Sequence, residues 1–137
     1  MKKKISLVSV IDDDHFFQFS TKRILESSEK VEEVLQFYDG ELAMKYFRLN
    51  RNESSKIPKL IFLDLNMPFM DGWQFLDEFT ANKFSLDVIT IYICTSSSST
   101  SDRDRYNQYP KLSGYMIKPI SKNQFMETLQ LELAKYE

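Results

Sequence analysis

Five short apolar runs alternating with helix-patterned segments constrain this chain more than any other feature. The runs are "ISLVSVI" (5–11), "VEEVLQF" (31–37), "KLIFLDL" (59–65), "VITIYIC" (88–94) and "SGYMIKP" (113–119). Between and after them the spacing predicts helices over about 15–28, 40–52, 72–83, 101–109 and 122–136. Runs 1, 3 and 4 are nearly continuously apolar, so they read as strands buried on both faces, which requires a parallel sheet covered by helices on each side. The expected fold class is therefore α/β, a doubly wound parallel sheet of five strands with five helices. Ligands of such sheets sit beyond the carboxyl ends of the strands, where the strand order reverses.

Local chemistry marks where the helices begin. Ser121 with Gln124, and Asp71 with Gln74, have the spacing of capping boxes; Asp39 before Gly40 fits the start of the second helix, and Asp14 the start of the first. Ser101 or Asp102 is the expected cap of the fourth. The stretch "RLNRNESSKIPK" (48–59) reads as a helix tail and polar loop, and "TSSSSTSD" (95–102) as a mobile loop. Neither is a linker and no repeat is present, so a single domain over 1–137 with no effector domain after it is expected. With 42% hydrophobic and 14% aromatic residues the chain can fill one core. A net charge of -2 gives no general attraction to nucleic acid or to anionic membranes, and "MKKK" reads as a solvated end. The apolar runs are too short to span a bilayer and no secretory leader is evident, which points to the cytoplasm. The lone cysteine, Cys94, excludes an intrachain disulfide and fits a buried, inert thiol.

The chemistry-bearing residues gather at the strand ends. Run 1 is followed by Asp12, Asp13 and Asp14, run 3 ends around Asp64, run 4 is followed by Thr95 and Ser96, and run 5 ends in Lys118 and Pro119. In a parallel sheet all these ends share one edge. Crowded carboxylates raise one another's pKa unless a cation compensates, and Mg²⁺ suits a site of a few carboxylates, a carbonyl, waters and a phosphate oxygen. An acid cluster, a central aspartate, a hydroxyl and a lysine on one rim make a constellation for metal-assisted phosphoryl transfer.

With "VSVIDDD", "LIFLDLNMPFMDGW", "YICTSS" and "GYMIKP" in this order, the chain resembles the receiver domain of two-component response regulators over nearly its whole length. The resemblance implies a flavodoxin-like sheet of order 2-1-3-4-5. It also implies that Asp64 is the phosphoacceptor, that Asp13 binds Mg²⁺ (or Mn²⁺) directly and Asp12 through water, and that Asp64 and the backbone carbonyl of Asn66 complete the protein ligands. Lys118 would pair with the phosphoryl group and the Thr95 hydroxyl would bond to it. Pro119 would follow a cis peptide bond, and Tyr115 would be the switch aromatic that turns inward with Thr95. Implied partners are a sensor histidine kinase or histidine phosphotransfer protein, and a downstream target or second copy on the face of helix 4, strand 5 and helix 5, where Tyr106, Tyr109 and Tyr115 are expected to be exposed. The chain would be a stand-alone switch that catalyses only its own phosphorylation and dephosphorylation, or an intermediate or phosphate sink in a phosphorelay.

Other readings fit the residues less well. An aspartyl-nucleophile phosphatase would carry D-x-D-x-T after its first strand, whereas the candidate here is "DLN" on the third. A flavodoxin-like electron carrier needs a hydroxyl- and glycine-rich phosphate loop where this chain has "DDDHFF", and three glycines cannot build a P-loop or dinucleotide loop. A relic interaction module would take no phosphate. His15 fits a surface position at the start of helix 1, and Trp73 a packed or half-buried aromatic.

Overall fold

The computed structural model describes residues 3–136. Part of the "MKKK" end thus lies outside the described residues; Lys3 and Lys4 are exposed, and Lys3 Nζ donates to the Tyr136 carbonyl at 2.5 Å. In chain order the elements are β1 (Ile5–Ile11), α1 (His15–Ser27), β2 (Val31–Phe37), α2 (Gly40–Leu49), a 3-10 turn (Ser54–Lys56), β3 (Leu60–Leu63), α3 (Gly72–Ala81), β4 (Thr90–Thr95), α4 (Thr100–Tyr106), β5 (Gly114–Ile117) and α5 (Lys122–Ala134). Every strand pair is parallel and the sheet order is β2-β1-β3-β4-β5. The flavodoxin-like receiver arrangement expected from the sequence is the one found.

Burial follows the run composition. All four residues of β3 are buried, as are five of the six in β4, whereas the outermost β2 and β5 are only half-covered. One core lies under α2 and α3, where Phe47, Phe75 and Phe79 pack on Ile61, Leu63, Ile91 and Ile93. A second lies under α1 and α5, where Leu25, Phe125 and Leu129 pack on Val8, Val10 and Phe62. Each fully buried phenylalanine contributes roughly 1.5–3 kcal/mol by leaving water.

Helix starts agree with the caps in four of five cases. Asp14, Asp39, Asp71 and Ser121 all cap, the last two in complete capping boxes. The fourth helix departs from expectation. Its cap is Ser99, whose Oγ accepts from the Asp102 N–H at 3.1 Å, so the helix starts before Ser101 and Asp102 and ends at Tyr106 rather than 109. Asp102 is thereby released from capping and its carboxylate turns elsewhere. β3 and β5 are shorter than their apolar runs because the ladder stops at Leu63 and Ile117, leaving Asp64 and Lys118 just past the sheet.

Candidate functional site

Backbone hydrogen bonds carry the strand register one residue beyond the ladders. Asp12 N donates to Phe37 O at 3.0 Å, Asp64 N to Ile11 O at 3.0 Å and Lys118 N to Thr95 O at 2.9 Å. This aligns Asp12, Asp64, Thr95 and Lys118 along one edge, although up to 106 positions separate them in sequence. Carboxylate oxygens of Asp12, Asp13 and Asp64 lie within 4.8 Å of one another. Asp12 and Asp64 are buried and Asp13 is more open to solvent.

Lys118 closes the cluster. Its Nζ donates to Asp12 Oδ2 at 2.7 Å and stands 3.9 Å from Asp64 Oδ2, over the Phe17 ring at 4.3 Å. The Lys118–Pro119 peptide bond is cis. Asp12 Oδ1 accepts from Asp14 N, and Asp64 Oδ1 from Leu65 N, both at 2.9 Å. Burial, and next the charge of Asp12, push the Asp64 carboxyl up to about 6 against the opposing pull of Lys118. Burial also raises Asp12, countered by its bond to Lys118. For Lys118, burial pulls the pKa down, but the hydrogen bond to Asp12 and the charges of both aspartates outweigh it and hold the ammonium above its usual range. Three carboxylates against one ammonium leave an excess of negative charge, and their spacing fits a small hard divalent cation. The residues able to hold it are Asp12, Asp13 and Asp64.

The loop after β3 is folded tightly under Asp64. A Cβ on Gly72 would stand 2.5 Å from the Asp64 carbonyl oxygen and 2.9 Å from Leu65 Cα, and Gly72 N donates to Leu65 O at 2.8 Å. Only glycine permits that approach. At the loop's rim Phe69 takes a left-handed backbone (φ 67°) and projects into solvent.

Thr95 and Tyr115 meet through a third residue. Thr95 Oγ1 accepts from Ser97 N at 3.2 Å, and the Tyr115 hydroxyl donates to the Ser97 carbonyl at 2.9 Å. The expectation of exposed tyrosines on the α4–β5 face is corrected here, because Tyr106, Tyr109 and Tyr115 are all half-buried against the core. Tyr115 meets Tyr106 edge-on at 5.4 Å and lies under the Arg103 guanidinium at 4.8 Å; Tyr109 stacks on Trp73 at 5.6 Å and donates to Asp77 Oδ1 at 2.6 Å. Within the serine stretch, Ser97 and Ser99 are tied into hydrogen bonds.

Two supports escaped sequence reasoning. Gln18, fully buried in α1, donates from Nε2 to the carbonyls of Val10 (2.9 Å), Asp12 (3.1 Å) and Phe37 (2.8 Å), fixing the backbone from which Asp12 projects. Asp102 bonds both Ser97 and Trp73. The one available signal was a polar residue inside an otherwise helical pattern, which does not reveal its partners. Other residues do no more than the sequence suggested. Asp14 caps α1, His15 stacks on Tyr38 at 4.4 Å, and burial drives the Cys94 thiol well above its ordinary pKa.

The family model of the response regulator receiver domain matches residues 8–130. The chain is 25% identical over 131 residues to the "Probable methanogenesis regulatory protein FilR2" of Methanothrix harundinacea, covering 95% of this chain and 82% of that one. It spans only 18% and 53% of the length of two other curated relatives. Among solved structures, a two component response regulator from Cytophaga hutchinsonii superposes with a TM-score of 0.83 at 25% identity, covering 96% and 98% of the two chains. The Mn(2+)-bound form of response regulator Rcp1 shares the fold with a TM-score of 0.69 at 24% identity, over 95% and 93% of the chains. With its sheet order, the edge of acidic and basic residues and the matched span all agreeing, the chain belongs to the response regulator receiver domain family.

Proposed function

We propose that this receiver accepts a phosphoryl group on Asp64 from a sensor histidine kinase or histidine phosphotransfer protein, with Mg²⁺ or Mn²⁺ bound by Asp12, Asp13, Asp64 and the Asn66 carbonyl. The observation that carries the reading is the convergence of three carboxylates within 4.8 Å beside one partly buried lysine. An Asp64 carboxylate oxygen attacks phosphorus; the new O–P bond forms as the donor's N–P or acyl O–P bond breaks, and the leaving group takes its proton from solvent. Asp12 and Asp13 would hold the cation, which when bound would supply charge neutralisation at the phosphoryl oxygens. Lys118 swings from Asp12 toward the new group, and the Thr95 hydroxyl donates to it. The domain's catalysis is confined to its own phosphorylation and its hydrolytic reversal.

Donor docking is supported by a groove beside Lys118, lined by Phe16, Phe17, Ile24, Pro119 and Phe125, with the Phe16 side chain 80% exposed at its mouth. Output passes through the α4–β5–α5 face, to a target protein or a second copy, as Tyr115 and Thr95 adjust around Ser97. Among the described residues no helix is long and apolar enough to cross a membrane, which is compatible with a cytoplasmic setting. The test is incubation with acetyl phosphate and Mg²⁺ followed by intact-mass measurement. One phosphoryl group should appear on the unsubstituted chain and none on Asp64→Asn; a phosphorylated Asp64→Asn protein would place the acceptor elsewhere.

A further inference from the structure

We infer that Asp102 is a positioning residue for the switch, holding Ser97, and through it Thr95 and Tyr115, by an anchor to the Trp73 indole. The inference rests on the phosphoacceptor reading of Asp64. Ser97 is the node. Its N–H bonds Thr95 Oγ1 (3.2 Å), its carbonyl receives the Tyr115 hydroxyl (2.9 Å), and its own hydroxyl donates to Asp102 Oδ2 (2.5 Å). The other oxygen, Asp102 Oδ1, accepts from Trp73 Nε1 at 2.9 Å.

Trp73 is a firm anchor. It is 4% exposed, stacks on Tyr109 at 5.6 Å, lies under the Arg105 guanidinium at 5.4 Å, and directly follows Gly72, whose Cα packs against the Asp64 carbonyl. One continuous chain of contacts therefore joins the backbone of the acceptor to the β4–α4 loop through α3, separate from the route through Thr95. The bond from Ser97, then that from Trp73, hold the Asp102 carboxyl below its usual pKa, so it is an anionic acceptor for both donors at neutral pH. Ser99 capping α4 leaves Asp102 in the first turn, where its side chain reaches both partners.

The consequence is a bias. A modification shifts two arrangements only by its differential energy for them, and the coupling is reciprocal. The Ser97-bonded, half-buried Tyr115 is assigned as the inward arrangement that a phosphoryl group at Asp64 favours, so cutting the Asp102 anchor that holds it must weaken binding of a phosphoryl mimic, although Asp102 is not part of the acid cluster. Calorimetric titration of the full chain with beryllofluoride at saturating Mg²⁺ tests this, using Asp102→Ala, Trp73→Phe and Asp102→Asn, alone and in a Tyr115→Phe background. Asp102→Ala and Trp73→Phe should each weaken the mimic by roughly five- to tenfold. Asp102→Asn, which keeps an acceptor oxygen, should recover part of that affinity, Mg²⁺ affinity should be unchanged in Asp102→Ala, and the loss should disappear in the Tyr115→Phe background. A merely structural aspartate would lower the unfolding midpoint without this dependence on the Tyr115 hydroxyl. Equal mimic affinity in Asp102→Ala, or a loss that persists in full without the Tyr115 hydroxyl, overturns this inference alone. Absence of mimic binding to the unsubstituted chain overturns the phosphoacceptor reading and this inference with it.

Discussion

Lys118 Nζ is bonded to Asp12 at 2.7 Å, closer than to Asp64, the candidate acceptor, at 3.9 Å. The lysine side chain is 15% exposed and that of Asp12 1%, so this pair is sheltered from solvent and salt. Removing one member leaves a buried charge unpaired. Lys118→Met, which keeps the stem over Phe17, should lower the unfolding free energy at pH 7.5 by about 3 kcal/mol. Urea unfolding in a chelator-containing buffer measures this, and an unchanged midpoint would show that the ion pair is not structural. On the proposed role of Lys118, phosphorylation by acetyl phosphate should also slow, since the ammonium beside Asp64 is gone.

Asp64 has the opposite sign of linkage from an ordinary paired carboxylate. Its folded pKa, about 6, lies above the unfolded value, so between pH 4 and 6 the folded state holds a proton that the unfolded state has released. Stability contributed by this group is present at low pH and falls as pH rises through that window. Asp64→Asn removes the effect. The variant should match the unsubstituted protein below pH 4 and exceed it by about 3 kcal/mol above pH 6, in chelator. Added Mg²⁺ should narrow the gap by stabilising the unsubstituted chain more. Equal stability of the two proteins at pH 8 without metal would show that Asp64 is not strained by burial and Asp12.

The acid edge was legible because near-continuous apolar runs locate strand ends, and parallel pairing forces those ends together. The placement of Asp12, Asp64, Thr95 and Lys118 at one edge followed from that alone, and the family likeness supplied the roles proposed for them. What was not legible depends on directions that side chains take after folding. Tyr106 and Tyr109 could face water or α3 with the same spacing; Trp73 and Asp77 draw Tyr109 inward. The α4 start was displaced because four consecutive serines offer several caps of equal chemistry, and the geometry of the turn chose Ser99. Gln18 is the clearest case, since its three acceptors come from β1, the β1–α1 turn and the end of β2.

Gly72 leaves free the space beside the Asp64 backbone that any other residue would fill. The nearest atoms to an added Cβ are backbone, the Asp64 oxygen at 2.5 Å and Leu65 Cα at 2.9 Å, and neither can rotate away. Gly72→Ala should therefore cost about 1–3 kcal/mol and shift the Asp64 backbone. Denaturant unfolding with amide chemical shifts of residues 64 and 65 tests both parts; unaltered shifts in a folded variant would mean that the loop yields elsewhere.

Ser9 gives a prediction of the other sign. Its hydroxyl, fully buried in the middle of β1, has no hydrogen-bond partner among the described residues. An unpaired buried hydroxyl carries a desolvation penalty, whereas a methyl in its place carries none. Ser9→Ala should leave the unfolding free energy unchanged or raise it by up to about 1 kcal/mol. A loss of more than that in thermal or urea unfolding would show that the hydroxyl is satisfied.

Gln18 links stability to the site most directly. One amide nitrogen serves the carbonyls of Val10, Asp12 and Phe37, while Gln36 Nε2 donates to both the Gln18 carbonyl and its side-chain oxygen at 2.9 Å. Truncation to alanine opens a cavity and leaves buried polar groups, so Gln18→Ala should lose about 2–4 kcal/mol. Groups that orient a metal ligand from behind typically alter metal affinity 10- to 100-fold, and Gln18 fixes the backbone of Asp12. Mg²⁺ affinity of the folded variant should fall by about tenfold. Gln36→Ala separates the two effects, because Gln36 touches Gln18 but not Asp12: it should cost stability while leaving Mg²⁺ affinity within about twofold. Mg²⁺ titration followed by amide shifts near Asp12 and Asp64 reads the difference. Equal Mg²⁺ affinity in Gln18→Ala and the unsubstituted chain would show that Asp12 is held by the strand register alone.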